Sequence, residues 1–424
     1  MGKHQIPSSP ETLTPRIRTC TSNISNYSNS LLSNKQQGRF IKSRKFDNVP
    51  GLNLITSFCY DLENKDPIYN SIKKSGSCVF SSDNLENPNT RAPLLHSSAY
   101  RSLPTQCEKI LDAPDIVDDY YLNLLSWSDS NILSVALKNS LYLWNGNTGN
   151  ATQFLEYSSE LITSVAWMQG SKYIAVGDSK HAVKIYDVEK STEIRTIRTH
   201  SDRVSSLAWN NCVLSTGSRD SYIMQHDLRI QDYFVKFTGH EQEVCGLKWN
   251  SEGTCLASGG NDNKVCTWEM AYTTPVKSLN EHRAAVKALA WCPWKRNLLA
   301  SGGGSADKQI RLWDTASGCC LQAIDTGSQV CALEWNRHEK EILSAHGYAQ
   351  NQLSLWRFSD MKRISDFSGH SARVLSVAQN PEGSTVVSAG ADETLRFWPV
   401  FESSIVKNES EQDSPQRGMS LGCR

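Results

Sequence analysis

The sequence predicts an all-β fold, a seven-bladed β-propeller flanked by disordered tails, and three observations predict it. The first is a tryptophan period: Trp127, Trp167, Trp209, Trp249, Trp291 and Trp335 recur at steps of 40, 42, 40, 42 and 44 residues. The second is a parallel series, Trp144, Tyr186, His226, Trp268, Trp313, Trp356 and Trp398, at steps of 42, 40, 42, 45, 43 and 42. Seven repeats of this length are the signature of WD40 blades, and no blade can bury its faces alone. The third is the pattern inside a repeat. In "EVCGLKWNSEGTCLASGGNDNKVCTWEM" short apolar runs alternate with period two and are split by turn residues.

Each segment follows from these anchors. All 12 tryptophans lie after residue 126. A segment without large apolar anchors gains little from burial and still bears the entropy of ordering. Residues 1–104 therefore read as a disordered tail, 105–402 as the propeller, and 403–424 as a flexible tail ending Cys423-Arg424. The last repeat ends at "TLRFWPVF" with no outer strand after it. Lys109–Ala113, just before the first repeat, is expected to supply that strand and close the ring, which removes an exposed sheet edge.

The histidines fit the same frame. In the WD pattern His240 would pair with Ser258, Asp262 and Trp268, and His370 with Ser388, Asp392 and Trp398. A buried polar network is tolerated only when satisfied, and this one would lock each blade. Catalytic His–Asp pairs are the rival reading, but architecture repeats this pair where catalysis needs a single unusual one.

Composition narrows the function classes. Lys+Arg and Asp+Glu are both 44, a formal net charge of zero, which argues against bulk nucleic-acid binding. No run of eighteen apolar residues is present, so no membrane span is expected. The first ten residues, "MGKHQIPSSP", hold no apolar h-region of a secretory signal. The 13 cysteines sit mostly in alternating apolar runs, without metal-ligand spacing, and read as buried thiols. "SGGGSAD", Ser301 to Asp307, lacks the lysine and helix of a phosphate loop and reads as a repeat turn. No catalytic residue, metal or cofactor is expected, and the default is a rigid display surface.

Two surfaces stand out. Ring closure would bring Asp112 near the turn holding Asp392 and Glu393, with Leu111 beside it. Such a seam suits an extended peptide bearing arginine and, a few residues on, leucine; solvated turn carboxylates are the alternative. A second, polar set is Asn261, Asn263, Ser305, Gln329 and Arg373, with Asp119 and Tyr120 ahead of the first blade. These offer amides and a guanidinium to a polar peptide, although Asn263 and Ser305 are also ordinary turn formers.

The blocks "KILDAPDIVDDYYLNLLSW", "GHEQEVCGLKWNSEGTCLASGGNDN", "AVKALAWCPWKRNLLASGGG", "GYAQNQLSLW" and "SAGADETLRFW" closely resemble the Fizzy/Fizzy-related WD-repeat activators of the anaphase-promoting complex. The likeness runs from residue 108 to 400 almost without a break. It implies a substrate-recruiting, non-enzymatic activator of that ubiquitin ligase. "GRFIKSR", residues 38–44, is similar to the family's C-box: Arg39, Phe40, Ile41 and Arg44 match, while Gly38 stands for an acid and Lys42 for proline. The resemblance gives these four residues, with the terminal Arg424, the role of docking the ligase; Cys423 stands where the family has isoleucine. It gives Asp112 and Glu393, beside Leu111, the arginine of the destruction box. To Asp119, Tyr120, Asn261, Asn263, Ser305, Gln329 and Arg373 it gives the Lys-Glu-Asn box.

The implied partners are the core subunits of the anaphase-promoting complex/cyclosome, degron-bearing substrates such as cyclins and securin-like proteins, and pseudosubstrate inhibitors, with no nucleic acid and no membrane. The implied location is nucleus and cytoplasm. The departures in the C-box and tail point to a specialised, meiosis-specific member acting in sporulation. Ser9-Pro10, Thr14-Pro15 and Ser414-Pro415 are candidate proline-directed kinase sites. A non-catalytic scaffold or a pseudo-activator that inhibits the same ligase is the alternative, and an RNA-processing scaffold a third.

Overall fold

Each repeat folds into one antiparallel sheet because its strands alternate apolar and polar residues and its turns are short. The computed structural model describes residues 17–18, 102–348 and 350–401; the C-box-like residues 38–44 and Cys423-Arg424 lie outside them. Every regular element among the described residues is a strand, and the strands form seven sheets. Blade 1 runs from Leu125 to Glu156, blade 2 from Ile162 to Ile197, blade 3 from Val204 to Phe237 and blade 4 from Val244 to Leu279. Blade 5 runs from Val286 to Asp325, blade 6 from Val330 to Phe367, and blade 7 starts at Val374. The innermost strand of each blade abuts that of the next, and blade 7 abuts blade 1, so the ring is complete.

The two residue series take distinct jobs. The first ends the innermost strands, where the indoles bolt one blade to the previous one. Trp209 Nε1 donates to Ala166 O (3.0 Å), Trp291 Nε1 to Lys248 O (2.9 Å) and Trp335 Nε1 to Ala290 O (3.0 Å). The second series lies on the third strands, with Trp268, Trp313 and Trp398 almost fully buried. There the polar networks form as expected. Trp268 Nε1 donates to Ser258 Oγ (2.8 Å), which lies 2.7 Å from His240 Nε2, while His240 Nδ1 is 3.0 Å from Asp262. His370, Asp392, Ser388 and Trp398 repeat this geometry, and so do His282, Asp307, Ser301 and Trp313. Blade 3 keeps His200, Asp220 and Thr216, but His226 replaces the indole. Blade 6 uses another route: His346, inside a strand, meets the Ser344 hydroxyl that Trp356 also binds.

In each of the four blades with the His–Asp pair, the residue after the aspartate has a left-handed backbone: Ser221 (φ 70°), Asn263 (65°), Lys308 (56°) and Glu393 (60°). The aspartate gives the turn its shape, accepting from the backbone amide two residues on, as Asp262 does from Lys264 and Asp392 from Thr394. Non-glycine residues enter this region at a cost, so the network underneath holds them there.

Ring closure follows the expected route. The strand β2, Lys109–Asp112, pairs antiparallel with Thr394–Trp398 in the register Leu111 to Leu395 and Asp112 to Thr394. Packing reaches back to Leu103 and Cys107, which lie against the cluster holding Trp398, Val400 and Phe401. One strand is outside the sequence reading, which expects none in residues 1–104. It is β1, Ile17–Arg18, which pairs with the outer edge of β2. The edge of β2 carries open backbone donors and acceptors, and any short extended segment can satisfy them.

The His240 network sets a pH dependence. Burial by itself lowers the imidazole pKa, but Asp262 and Cys266 together outweigh it and raise the group from 6.5 to about 9. A raised folded-state pKa gives stability that is whole below about 6.5 and lost as pH rises through about 9. Replacing His240 by alanine leaves Asp262 and Ser258 short of a partner and is expected to cost about 2–3 kcal/mol at pH 6. The gap in thermal midpoint between wild type and variant should narrow from pH 6.5 to 9. A gap independent of pH would refute the ionised pair.

Candidate functional site

The ring closure builds the first site. Asp112 pairs with Thr394, the neighbour of Glu393, so the backbones of the two acids lie close across one strand pair. The turn is tied down on both sides: Ala113 N donates to Glu393 O (2.7 Å) and Asp115 N to Glu393 Oε1 (3.3 Å). Glu393 is exposed and Asp112 half-buried. Leu111 behaves otherwise than an open surface residue: it is buried in the core shared by blades 1 and 7, next to Leu395 and Phe397. Its side chain therefore shapes the interior behind the seam. Beside it, Lys109 lays its ammonium 5.0 Å from the Trp144 ring.

The second site sits at one mouth of the central channel. Val117 to Leu124, between β2 and blade 1, crosses that mouth. Asn123 anchors it, donating to Ser205 O (2.7 Å) and Cys245 O (2.9 Å) and pairing as a bridge with Ser164. Tyr120 is buried, its hydroxyl donating to Val330 O (3.2 Å), and burial holds its pKa well above the usual value. A cavity of about 760 Å³ results, and Asp119, Tyr120, Asn261, Asn263, Ser305, Gln329 and Arg373 all line it.

Convergence does not make these groups equally free. Asp119 accepts from Arg203 Nη1 (2.7 Å) and from Tyr121 N (2.9 Å), and Arg203 also forks onto Glu243. Asn261 accepts from the Tyr121 hydroxyl (2.8 Å) and donates to Gln242 Oε1 (2.6 Å). Both residues fix the lead-in segment as much as they face the cavity. Arg373 is oriented by Asp118, which accepts from its Nε on the side chain and from its Nη2 on the backbone carbonyl. Its guanidinium lies 5.5 Å from the exposed Tyr348 ring. Gln329, which lines the cavity, holds a buried Oε1 with no hydrogen-bond partner. Gly347 allows this, since a Cβ there would lie 2.6 Å from that oxygen.

Sequence reasoning missed Asp118, Tyr121, Arg203 and Glu243. Their contacts span up to 255 residues, and no local pattern reports them. It also missed Lys287, which lies under the cavity and donates across the channel to Leu375 O (2.7 Å). Lys287 is 5% exposed. Burial lowers its pKa from 10.5 to about 8.

With the geometry in view, comparison with known proteins decides the family. The model of the CDC20/Fizzy WD40 domain matches residues 111–398. The chain belongs to the CDC20/Fizzy family. It is 48% identical over 309 residues to the anaphase-promoting complex subunit cdc20 of Dictyostelium discoideum, covering 72% of this chain and 62% of that protein. It is 47% identical over 311 residues to an Arabidopsis thaliana protein, cell division cycle 20.1, cofactor of APC complex, covering 71% of this chain and 68% of the relative. Among solved structures it resembles a chain of a crystal structure of the mitotic checkpoint complex, at 43% identity and TM-score 0.70, covering 77% of this chain and 99% of that one. The seven-bladed CDC20/Fizzy propeller is thus the part in common.

Lys287 gives a test of the channel interior. A buried lysine with a lowered pKa penalises the folded state while charged, in full below about 8, and the penalty fades as pH climbs toward 10.5. Wild type should therefore gain up to about 3 kcal/mol on a Lys287→Met variant over that range. Thermal midpoints of both proteins at pH 7 to 10 check this, and parallel curves would reject a buried charge.

Proposed function

We propose that this chain is a substrate-recruiting activator of the anaphase-promoting complex/cyclosome. The observation that supports it is the seam: in a CDC20/Fizzy propeller, ring closure pairs Asp112 with Thr394, the neighbour of an exposed Glu393. A guanidinium on an extended peptide complements the two acids through charge-assisted hydrogen bonds. The names of two relatives, a subunit and a cofactor of that complex, support the reading. In it the seam takes destruction-box arginines, and the channel-mouth cavity takes the Lys-Glu-Asn box. Gln329 Oε1 receives an amide there, and Arg373, held by Asp118, faces a carboxylate.

The ligase contacts belong to Arg39, Phe40, Ile41, Arg44 and Arg424. Binding a degron on the propeller while these segments hold the ligase raises the substrate's effective concentration near ubiquitin transfer. The chain itself supplies no chemistry. A role in meiosis and sporulation, and residence in nucleus and cytoplasm, belong to the same proposal. Gly38, Lys42 and Cys423 favour one second reading, an inhibitor or pseudo-activator of the same ligase, because losing the proline and the acid weakens docking.

Reconstituted ubiquitination of a destruction-box substrate separates the two. An activator stimulates the ligase alone, whereas a pseudo-activator suppresses stimulation by a second activator. Charge reversal at Asp112 and Glu393 together should reduce capture of an arginine-bearing peptide by about a hundredfold, while Arg39→Ala should remove ligase capture and leave peptide binding intact. Unchanged peptide capture by the charge-reversed protein would refute the seam.

A further inference from the structure

We propose that the outer edge of β2 accepts an extended peptide strand and that the chain's own Ile17–Arg18 fills it in cis, competing with incoming degrons for the seam. The proposal rests on the seam reading above and adds its regulation. The strand β1 lies antiparallel on β2, Ile17 opposite Leu111 and Arg18 opposite Ile110. Among the described residues blade 7 alone carries a fifth strand; the other six sheets stop at four.

The edge is able to pair. Ala113 N is spent inward on Glu393 O. Antiparallel pairing alternates, so Ile110 and Asp112 point their amides outward, away from blade 7. Main-chain bonds to such an edge give affinity without demanding sequence. The pairing also stops in a telling place. Ile17 sits opposite Leu111, and the next residue of β2 is Asp112, half of the acidic pair. A peptide that pairs along β2 to present its arginine to Asp112 needs the backbone groups that β1 occupies.

Charge favours the same occupant. The segment "TPRIRT" carries Arg16 and Arg18, whereas the edge and its turn carry Asp112, Asp115 and Glu393. Lys138 neutralises Asp115 only. The occupant is also built to yield. It pairs over two residues. It ends a long connection back to β2, whose closure opposes docking. A longer strand with its own arginine and leucine displaces it.

Three proteins test this: the full chain, a chain lacking residues 1–22, and the full chain with Arg18→Pro, which removes the amide facing Ile110 and leaves the sequence of all seven blades unchanged. Amide exchange is followed at Ile110, and affinity is measured for a fluorescent Arg-x-x-Leu destruction-box peptide. Truncation and Arg18→Pro are expected to speed exchange at that amide about tenfold. They should also tighten peptide binding about threefold or more, by freeing the competent edge. A synthetic peptide of residues 13–21, added to the truncated protein, should restore the protection and weaken degron binding. Equal exchange in all three proteins, or faster exchange with unchanged affinity, overturns the proposal. If even the truncated protein binds no destruction-box peptide, the seam reading falls and the competition with it, while the exchange data still report whether residues 17–18 cover β2.

Discussion

Pairing between β2 and Thr394–Trp398 is the contact on which the rest of the molecule depends. Without it, blade 7 would end in an open strand, and no strand pairing would join the two ends of the ring. The same four residues deliver three other things. They set Asp112 opposite the turn of Glu393, and they bury Leu111 between blades 7 and 1. They also send the following segment across the channel mouth, where Asn123 catches the innermost strands of blades 2, 3 and 4. A single register thus fixes a stability element, an acidic pair and the floor of a cavity. Slipping it by one residue would turn Leu111 outward and Asp112 into the core, so both faces of β2 select this register.

The polar networks carry that order to the surface. A buried histidine bonded to an aspartate is costly if left half-made and rigid once complete. In blades 3, 4, 5 and 7 the aspartate also shapes a turn, and the following residue is held with positive φ. At Asn263 this conformation is tolerable for the side chain; at Glu393 it is less so. The carboxylate of Glu393 is therefore aimed by His370 and Asp392 beneath it. What looks like a repeated catalytic dyad is a repeated foundation, and blade 7 uses it to present an acid where blade 4 presents an amide.

Much of this was legible because it is periodic. The forty-residue spacing of Trp127 to Trp335, the His240 and His370 sets, and the missing strand after Trp398 are all local patterns read against one template. Five of the seven cavity residues were legible as positions, since each sits in a turn or strand end of known phase, and Asp119 and Tyr120 lie in the segment ahead of the first blade. Their hydrogen-bond partners were not. Asp119 meets Arg203, and Asn261 meets Tyr121, across 84 and 140 residues. Only the folded ring shows that two of the nominal ligand-facing groups are already engaged. For Leu111 the sequence reading gave a place beside the acids and no aspect, because period two tells which residues share a face but not which face is covered. Lys287 escaped notice for the opposite reason, a charged residue in a strand that reads as solvent-facing and is buried.

These engagements bear on affinity. A short linear motif loses conformational freedom when it binds, so the receptor gains most by having lost its own beforehand. Arg373 is clamped twice by Asp118 and stacked against Tyr348; Tyr120 is pinned under the cavity; Asn261 is held from both ends of its amide. The group left without a partner is Gln329 Oε1, kept close by the absence of a side chain at Gly347. An unsatisfied buried acceptor is unfavourable in the free protein, and a donor arriving from a peptide removes that penalty as well as forming a bond. On the proposed reading the cavity discriminates by polar matching: a side chain that fills the space without donating leaves Gln329 unpaired and binds weakly.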